Sequence, residues 1–245
     1  MTINNRVEDF EFEICAILAQ LSYHIHPAVV EQVQEQNLKD YQYFGNLFGD
    51  RIDLSSYLFP GSACVFPGVR RYVAGQGKRS QYNPEYKAII DDNTFPRHIW
   101  SFLSDGKTYS NPNWRQTGLN EFELAHIFTH KESELDLEHN YFEAIQPNLL
   151  PYSDFTCACN VVLLPKGMVR PTDKSRNIKA AFYMRYVELY GEAPLIGRFG
   201  FRAQLVPGWY RELKWNDPLL PVDWREKTEQ LLAYRTKRIT HIMNR

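Results

Sequence analysis

Several features that would assign a class outright are missing from this chain. Only four cysteines, Cys15, Cys64, Cys157 and Cys159, occur in 245 residues. That excludes a disulfide-dense secreted scaffold. The single residue between Cys157 and Cys159 is too short a gap for a zinc knuckle. The net charge is −1, so no chain-wide basic field exists, and any contact with nucleic acid must come from a local group of Lys and Arg. No apolar run approaches the roughly 20 residues of a membrane span. Met1 to Phe10 is polar and acidic, unlike a secretory leader. No internal repeat and no low-complexity linker is found. The expectations are no membrane partner and a reducing, cytoplasmic setting with free thiols.

What is present is globular. Hydrophobic residues make up 44% and charged residues 23%, enough apolar side chain for a sizeable core. Phe10, Ile14, Ile17, Leu18 and Leu21 recur at helical spacing and predict a helix over Val7 to Tyr23 with one inward face. Pro27 suits the first turn of a second helix, Pro27 to Asn37 or beyond, with Val29, Val30 and Val33 inward and Leu38, Tyr41 and Phe44 continuing the face. Between Gly45 and Arg97 the period is lost, and short strands are expected at Ala63 to Phe66 and Arg71 to Ala74. Asn111 to Trp114 reads as a turn. Lys174 to Tyr190 predicts a helix stopped by Gly191. Phe199 to Val206 predicts a strand, and Trp224 to Ile242 a helix with Leu231, Leu232, Ile239 and Ile242 inward. The fold class is α+β. Three regions are expected: 1–110, helical then irregular; 111–195, the core of the chemistry; and 196–245, a strand and a helix with the basic run Arg235 to Arg238.

One segment carries local positive charge. Arg70 to Tyr82 holds Arg70, Arg71, Lys78 and Arg79, two glycines and two tyrosines, and no acid. It reads either as a loop that tracks phosphates or as a solvated surface loop. Its Gly-x-Gly is not a dinucleotide fingerprint, because the third glycine and a βαβ unit are missing.

The chemistry concentrates between Asn120 and Asp173. Phe122, Leu124 and His126 alternate with Glu121 and Glu123, which predicts a strand ending in a histidine. Asn160 to Leu164 is a β-rich run ended by Pro165 and Gly167. Thr172 or Asp173 is expected to cap the next helix. The order is strand with terminal His, long loop, strand opening on Asn, then helix. Taken alone, His126 is as readily a structural histidine, Asn160 a turn residue and Asp173 a helix cap.

Together, Ala125-His126-Ile127 and Asn160-Val161-Val162-Leu163-Leu164-Pro165 with the later Asp173 resemble the HNH, or ββα-metal, endonucleases, specifically those with Ala-His-Ile where others have Asp-His. The resemblance covers about Asn120 to Tyr190. It implies a ββα-metal core with helical flanks and hydrolysis of DNA phosphodiesters, in the setting of a restriction or phage-defence enzyme. His126 would be the general base, taking a proton from water. Asn160 would hold the loop that carries the histidine. Asp173 would ligate Mg²⁺ (or Mn²⁺), with Asn177 an alternative and His130 or Glu123 helpers. Lys166, Arg170 and Arg176 would hold phosphate oxygens, with Arg70, Arg71, Lys78 and Arg79 as further DNA contacts. DNA is the implied partner, and a homodimer would suit a palindrome.

The chain departs from the family at Ala125, where an acidic ligand is usual, and has no histidine between Asn160 and the following helix. The loop 132–143 carries five carboxylates, which oppose a nearby phosphate. A degenerate HNH-like DNA-binding or assembly module is therefore the second reading. Glu123-Leu124-Ala125-His126 with His130 would share one helical face, as in a di-iron bundle, but only Asp136 to His139 offers a second such motif. Ile127 stands where a zincin needs Glu.

Overall fold

The computed structural model describes residues 3–108, 118–145, 150–191 and 198–245. The turn expected at Asn111 to Trp114 lies outside them. Two helices open the chain, α1 (Ile3–Leu21) and α2 (Pro27–Phe48). Pro27 occupies the first turn of α2, and His26 accepts a hydrogen bond from Ala28 N, so the proline's missing N–H costs the helix nothing. Helix α2 runs through Gly45 to Gly49, where the left-handed glycine ends it.

The apolar stripe of α1 behaves differently from its expectation. Cys15, Leu18 and Ala19 are buried, whereas Val7, Phe10, Ile17 and Leu21 are exposed, Phe10 by 61%. The reason is the contact on the other side: Glu11 of α1 reaches Ser175 and Asn177. That rotation turns the Phe10–Ile17–Leu21 row outward.

The irregular stretch after α2 contains more order than its lost period suggests. Strands β1 (Val69–Arg71), β2 (Gln81–Asn83) and β3 (Ala88–Asp91) make a mixed sheet in the order β1–β3–β2. Helix α3 (Thr94–Asp105) follows, with Asp91 accepting from Phe95 N. Ala63 to Phe66 is a buried extended segment, joined by a single bridge, Cys64 to Cys157, and is not a ladder strand. Positive φ at Ser80 and Lys87 marks the tight turns that shorten β2 and hide it from a period-two search.

Strand β4 (Phe122–His126) then leads to β5 (Phe142–Ile145) and β6 (Val161–Pro165). β4 and β6 pair antiparallel, Phe122 opposite Pro165 and His126 opposite Val161. The far edge of β6 is covered by Tyr23, which exchanges both backbone bonds with Leu163. β6 is therefore buried on both faces, as its run of β-branched and leucine residues requires. A short helix α4 (Val169–Lys174) and the longer α5 (Arg176–Tyr190) follow. The helix cap is Ser175, whose hydroxyl accepts from Ile178 N, rather than Thr172 or Asp173. The chain breaks its helix at Ser175, so both expected caps fall inside α4.

Strand β7 (Arg198–Phe201) pairs with β5, and α6 (Trp224–Met243) closes the fold. The expected strand at Phe199 to Val206 stops at Phe201. Leu231, Leu232, Ile239 and Ile242 of α6 are buried as expected. Arg235 is buried too, pairing with Asp40 and Asn37 of α2. That cation of the basic run is thus consumed inside the protein. One contiguous apolar cluster extends from Cys15 to Met243. All four cysteines are buried and free. No described helix is long and apolar enough to cross a membrane.

Candidate functional site

His126 ends β4, and the chain turns immediately after it. Asn160, at the start of β6 and fully buried, fastens that turn. Its Oδ1 accepts from Phe128 N at 2.8 Å, and its Nδ2 donates to Phe128 O at 3.2 Å and Asp154 O at 2.9 Å. Only a primary amide offers both an acceptor and donors at this spacing. The Phe128 N–H and the Phe128 and Asp154 carbonyls are therefore paired although buried.

The His126 ring is half-buried. It stacks on Phe155, with centroids 5.5 Å apart, and its Nε2 lies 3.0 Å from Phe155 O. A carbonyl oxygen only accepts, so Nε2 carries the proton and Nδ1 keeps the lone pair. Burial pushes the imidazole pKa down to about 4 against an upward pull from the Phe155 carbonyl, with Arg71 and then Lys131 adding lesser downward pushes. The ring is neutral at pH 7. It is a proton acceptor of fixed tautomer, held by two rings and a carbonyl.

His130 packs against it, with centroids 4.5 Å apart. Both its ring nitrogens are buried and without a hydrogen-bond partner. Burial first, then His126, Arg71 and Lys131, hold its pKa well below the usual imidazole value. His130 also lines a cavity of about 380 Å³ with Arg70, Arg71, Lys131 and Tyr152.

A buried ion network fixes the loop that carries His130. Arg198 pairs with Glu138 and, at 2.6 Å, with Asp154, and donates to Thr129 O. Glu138 also accepts from Thr129 N at 2.6 Å. Burial pushes Asp154 up to about 6 while Arg198 pulls it down. This network disposes of one acid of the 132–143 loop. Lys131 neutralises another, Glu134, at 2.5 Å. The loop is thus less repulsive to an anion than its composition implies. Arg198, Lys131 and Tyr152 escaped the sequence reading, because no local period marks a residue whose partners are far along the chain.

The other candidates divide into two groups. Arg70 and Arg71 lie on β1 at the cavity with His130. Arg79 is exposed, 3.2 Å from Asp92, and Lys78 is exposed beside it. Lys166, Arg170 and Arg176 are exposed between β6 and the start of α5. Lys179 and Thr172 line the cleft on the α5 side of His126, together with Ala125 and Phe182. Lys179 had no sequence signal beyond its helical position. Ala125 is buried there, which explains its small side chain.

The expected metal ligands do not converge. Asp173 is exposed on α4, the Asn177 amide is bonded to Glu11 at 2.6 Å, and Glu123 is exposed. Among the described residues no group of three His, Cys, Asp or Glu side chains can hold a metal ion. His126 and His130 offer nitrogen, whereas Mg²⁺ requires oxygen donors. The donor set does not fit a magnesium ion. No protein-family model, curated protein or solved structure matches the chain.

Proposed function

We propose that the chain is an endonuclease built on a ββα core, hydrolysing DNA phosphodiesters with His126 as general base. One observation carries this reading. Nε2 of His126 is anchored on the Phe155 carbonyl, so the lone pair sits on Nδ1 of a neutral ring at the end of a strand braced by Asn160. Such a nitrogen takes a proton from water, and the resulting hydroxide attacks phosphorus. One P–O bond forms and one breaks, and the departing oxygen takes a proton from water. General-base action is worth about 10²–10⁴ in rate when the base's pKa lies near the working pH, and with His126 pushed down to about 4 the gain falls at the low end of that range.

Lys179 lines the cleft beside the base, and Arg71 and Lys131, which also pair with Asp92 and Glu134, line the cavity with His130. They suit the charge that builds on phosphate oxygens in the transition state. The order strand, strand, helix, with His126 opposite Val161, supports the likeness to the HNH enzymes. A restriction or phage-defence role follows by analogy with that family. DNA is the partner on this reading, and a homodimer is the form that would cut both strands of a palindrome. No step is routed through a metal ion, because the described donors do not fit one.

The test is nicking of supercoiled plasmid by the full chain, with Mg²⁺, with Mn²⁺ and with EDTA. Nicking that vanishes in His126→Ala is the expected result. Equal nicking by parent and variant would remove His126 from the mechanism. A second reading, a nucleic-acid-binding module without catalysis, is favoured by Ala125 and by the lack of a three-donor metal group. It predicts DNA binding without cutting under every ion.

A further inference from the structure

We propose that the groove beside His130 binds unpaired nucleotides, so that the strand presented to His126 is single or locally opened. The inference deepens the nuclease reading and rests on it for its catalytic meaning, but not for the binding itself.

Two cavities, of about 380 and about 290 Å³, share Arg70 and Tyr152 as a common wall. Together they form a groove with planar groups at its centre. The Arg70 guanidinium lies 4.1 Å above the Tyr152 ring and 6.0 Å from the Tyr86 ring. Tyr152 is backed by buried Tyr57, with centroids 6.3 Å apart. Among the described residues no acid pairs with Arg70. Its N–H groups are unused, in contrast to Arg79 and Arg198, which are tied to carboxylates.

A guanidinium close over a tyrosine ring offers a surface on which a nucleobase can stack. In a duplex both base faces are already covered by neighbouring bases, so only an unpaired or flipped base can use that surface. The volumes agree, since about 380 Å³ is at the small end of ligand pockets. His130 lines the same groove. Its two nitrogens, one donor and one acceptor in the neutral ring, are buried without a partner.

Charge in the groove is mixed. Arg70, Arg71 and Lys131 share the groove with Glu132, and Lys87 sits with Asp53 and Glu85 at the far end. Stacking therefore supplies the affinity, with few phosphate contacts. Single strands lose affinity with salt at a slope of about −0.7 per phosphate contacted, so a slope between about −0.7 and about −2 is expected.

The test measures fluorescence anisotropy of the full chain with fluorescein-labelled oligo(dT), oligo(U) and a duplex of equal length, in EDTA. Both single strands are expected to bind about tenfold or more tighter than the duplex. Tyr152→Ala and Arg70→Lys should each weaken single-strand binding about tenfold, and Tyr152→Phe should retain it. Arg70→Lys keeps the charge but loses the plane, so it also decides the question if Tyr152→Ala does not fold. Duplex binding as tight as single-strand binding, or a parent-like Arg70→Lys, would overturn the proposal. Single-strand preference without plasmid nicking leaves this inference standing and removes the nuclease reading. Nicking without single-strand preference does the reverse.

Discussion

The turn after β4 and the start of α5 are both places where the sequence suggested chemistry, and they are built in opposite ways. At the turn the buried Asn160 and Arg198 are each held by several partners, Asn160 by Phe128 and Asp154 and Arg198 by Glu138, Asp154 and Thr129, and the His130 ring nitrogens are the buried polar atoms left without one. The start of α5 is loose by comparison. Asp173 is exposed, and Ser175 and Asn177 are occupied with Glu11 of α1. A side chain that must take a proton in a fixed direction needs the first kind of surroundings. The His126 ring is therefore pre-organised where it stands, while the helix side contributes a docking edge between α1 and α5.

The largest effect that would break this contrast is at Arg198. Arg198→Met leaves Glu138 and Asp154 buried with no counter-charge, which costs about 3–5 kcal/mol. Urea unfolding should show that loss. A loss below about 1 kcal/mol would mean that the network does not hold the turn.

Acid should act next. His24 and His98 are pushed down to about 3, His126 to about 4 and His130 well below its usual value, all chiefly by burial. Each of these histidines binds more protons in the unfolded chain below about pH 6.5, while Asp154, pushed up to about 6, binds more in the folded chain between about pH 4 and 6 and offsets one of them. Stability is complete above that pH and falls as pH drops toward 4, by up to about 1.4 kcal/mol per pH unit for each histidine. Thermal melting from pH 7 to pH 4.5 checks the slope. For the same reason, the acid limb of any nicking activity should fall near pH 4 and not near 6.5, since His126 must be neutral to accept a proton.

Asn160→Ala removes the partner of Phe128 N–H and of two carbonyls and should cost about 1–3 kcal/mol. It should also lower nicking more than binding, as expected for a positioning residue. Asp173→Ala sits at the other extreme, with a stability change within about 0.5 kcal/mol for an exposed residue. If Asp173→Ala nevertheless abolishes metal-dependent nicking, the helix side does supply an ion ligand, and the contrast between the two regions is sharpened into a division of labour.

How much of this was legible in the chain depends on the range of the signal. The alternation of Phe122 to His126 and the β-branched run after Asn160 are local, and both strands formed with the histidine and asparagine at their ends. The helix face of Trp224–Met243 was readable for the same reason, whereas on Pro27–Phe48 Val29, Val30, Val33 and Phe44 turned inward and Leu38 and Tyr41, expected on the same face, are exposed. The row on α1 was misread because helical spacing identifies an apolar stripe but not the direction in which neighbouring contacts turn it. Strands β2 and β3 were missed because three or four residues between positive-φ turns are too short to show a period.

The sequence by itself determined which residues can do chemistry, His126 with its imidazole and Asn160 with its two-way amide, and roughly where along strands they stand. Tertiary structure alone decided which nitrogen of His126 holds the lone pair, because that follows from the Phe155 carbonyl 29 residues away. It also brought Arg198 to Glu138 across 60 residues and stacked Arg70 on Tyr152. Local order follows from backbone geometry and side-chain period, which reach only a few residues. Charge pairing, tautomer and stacking depend on distances that exist only after the chain has packed.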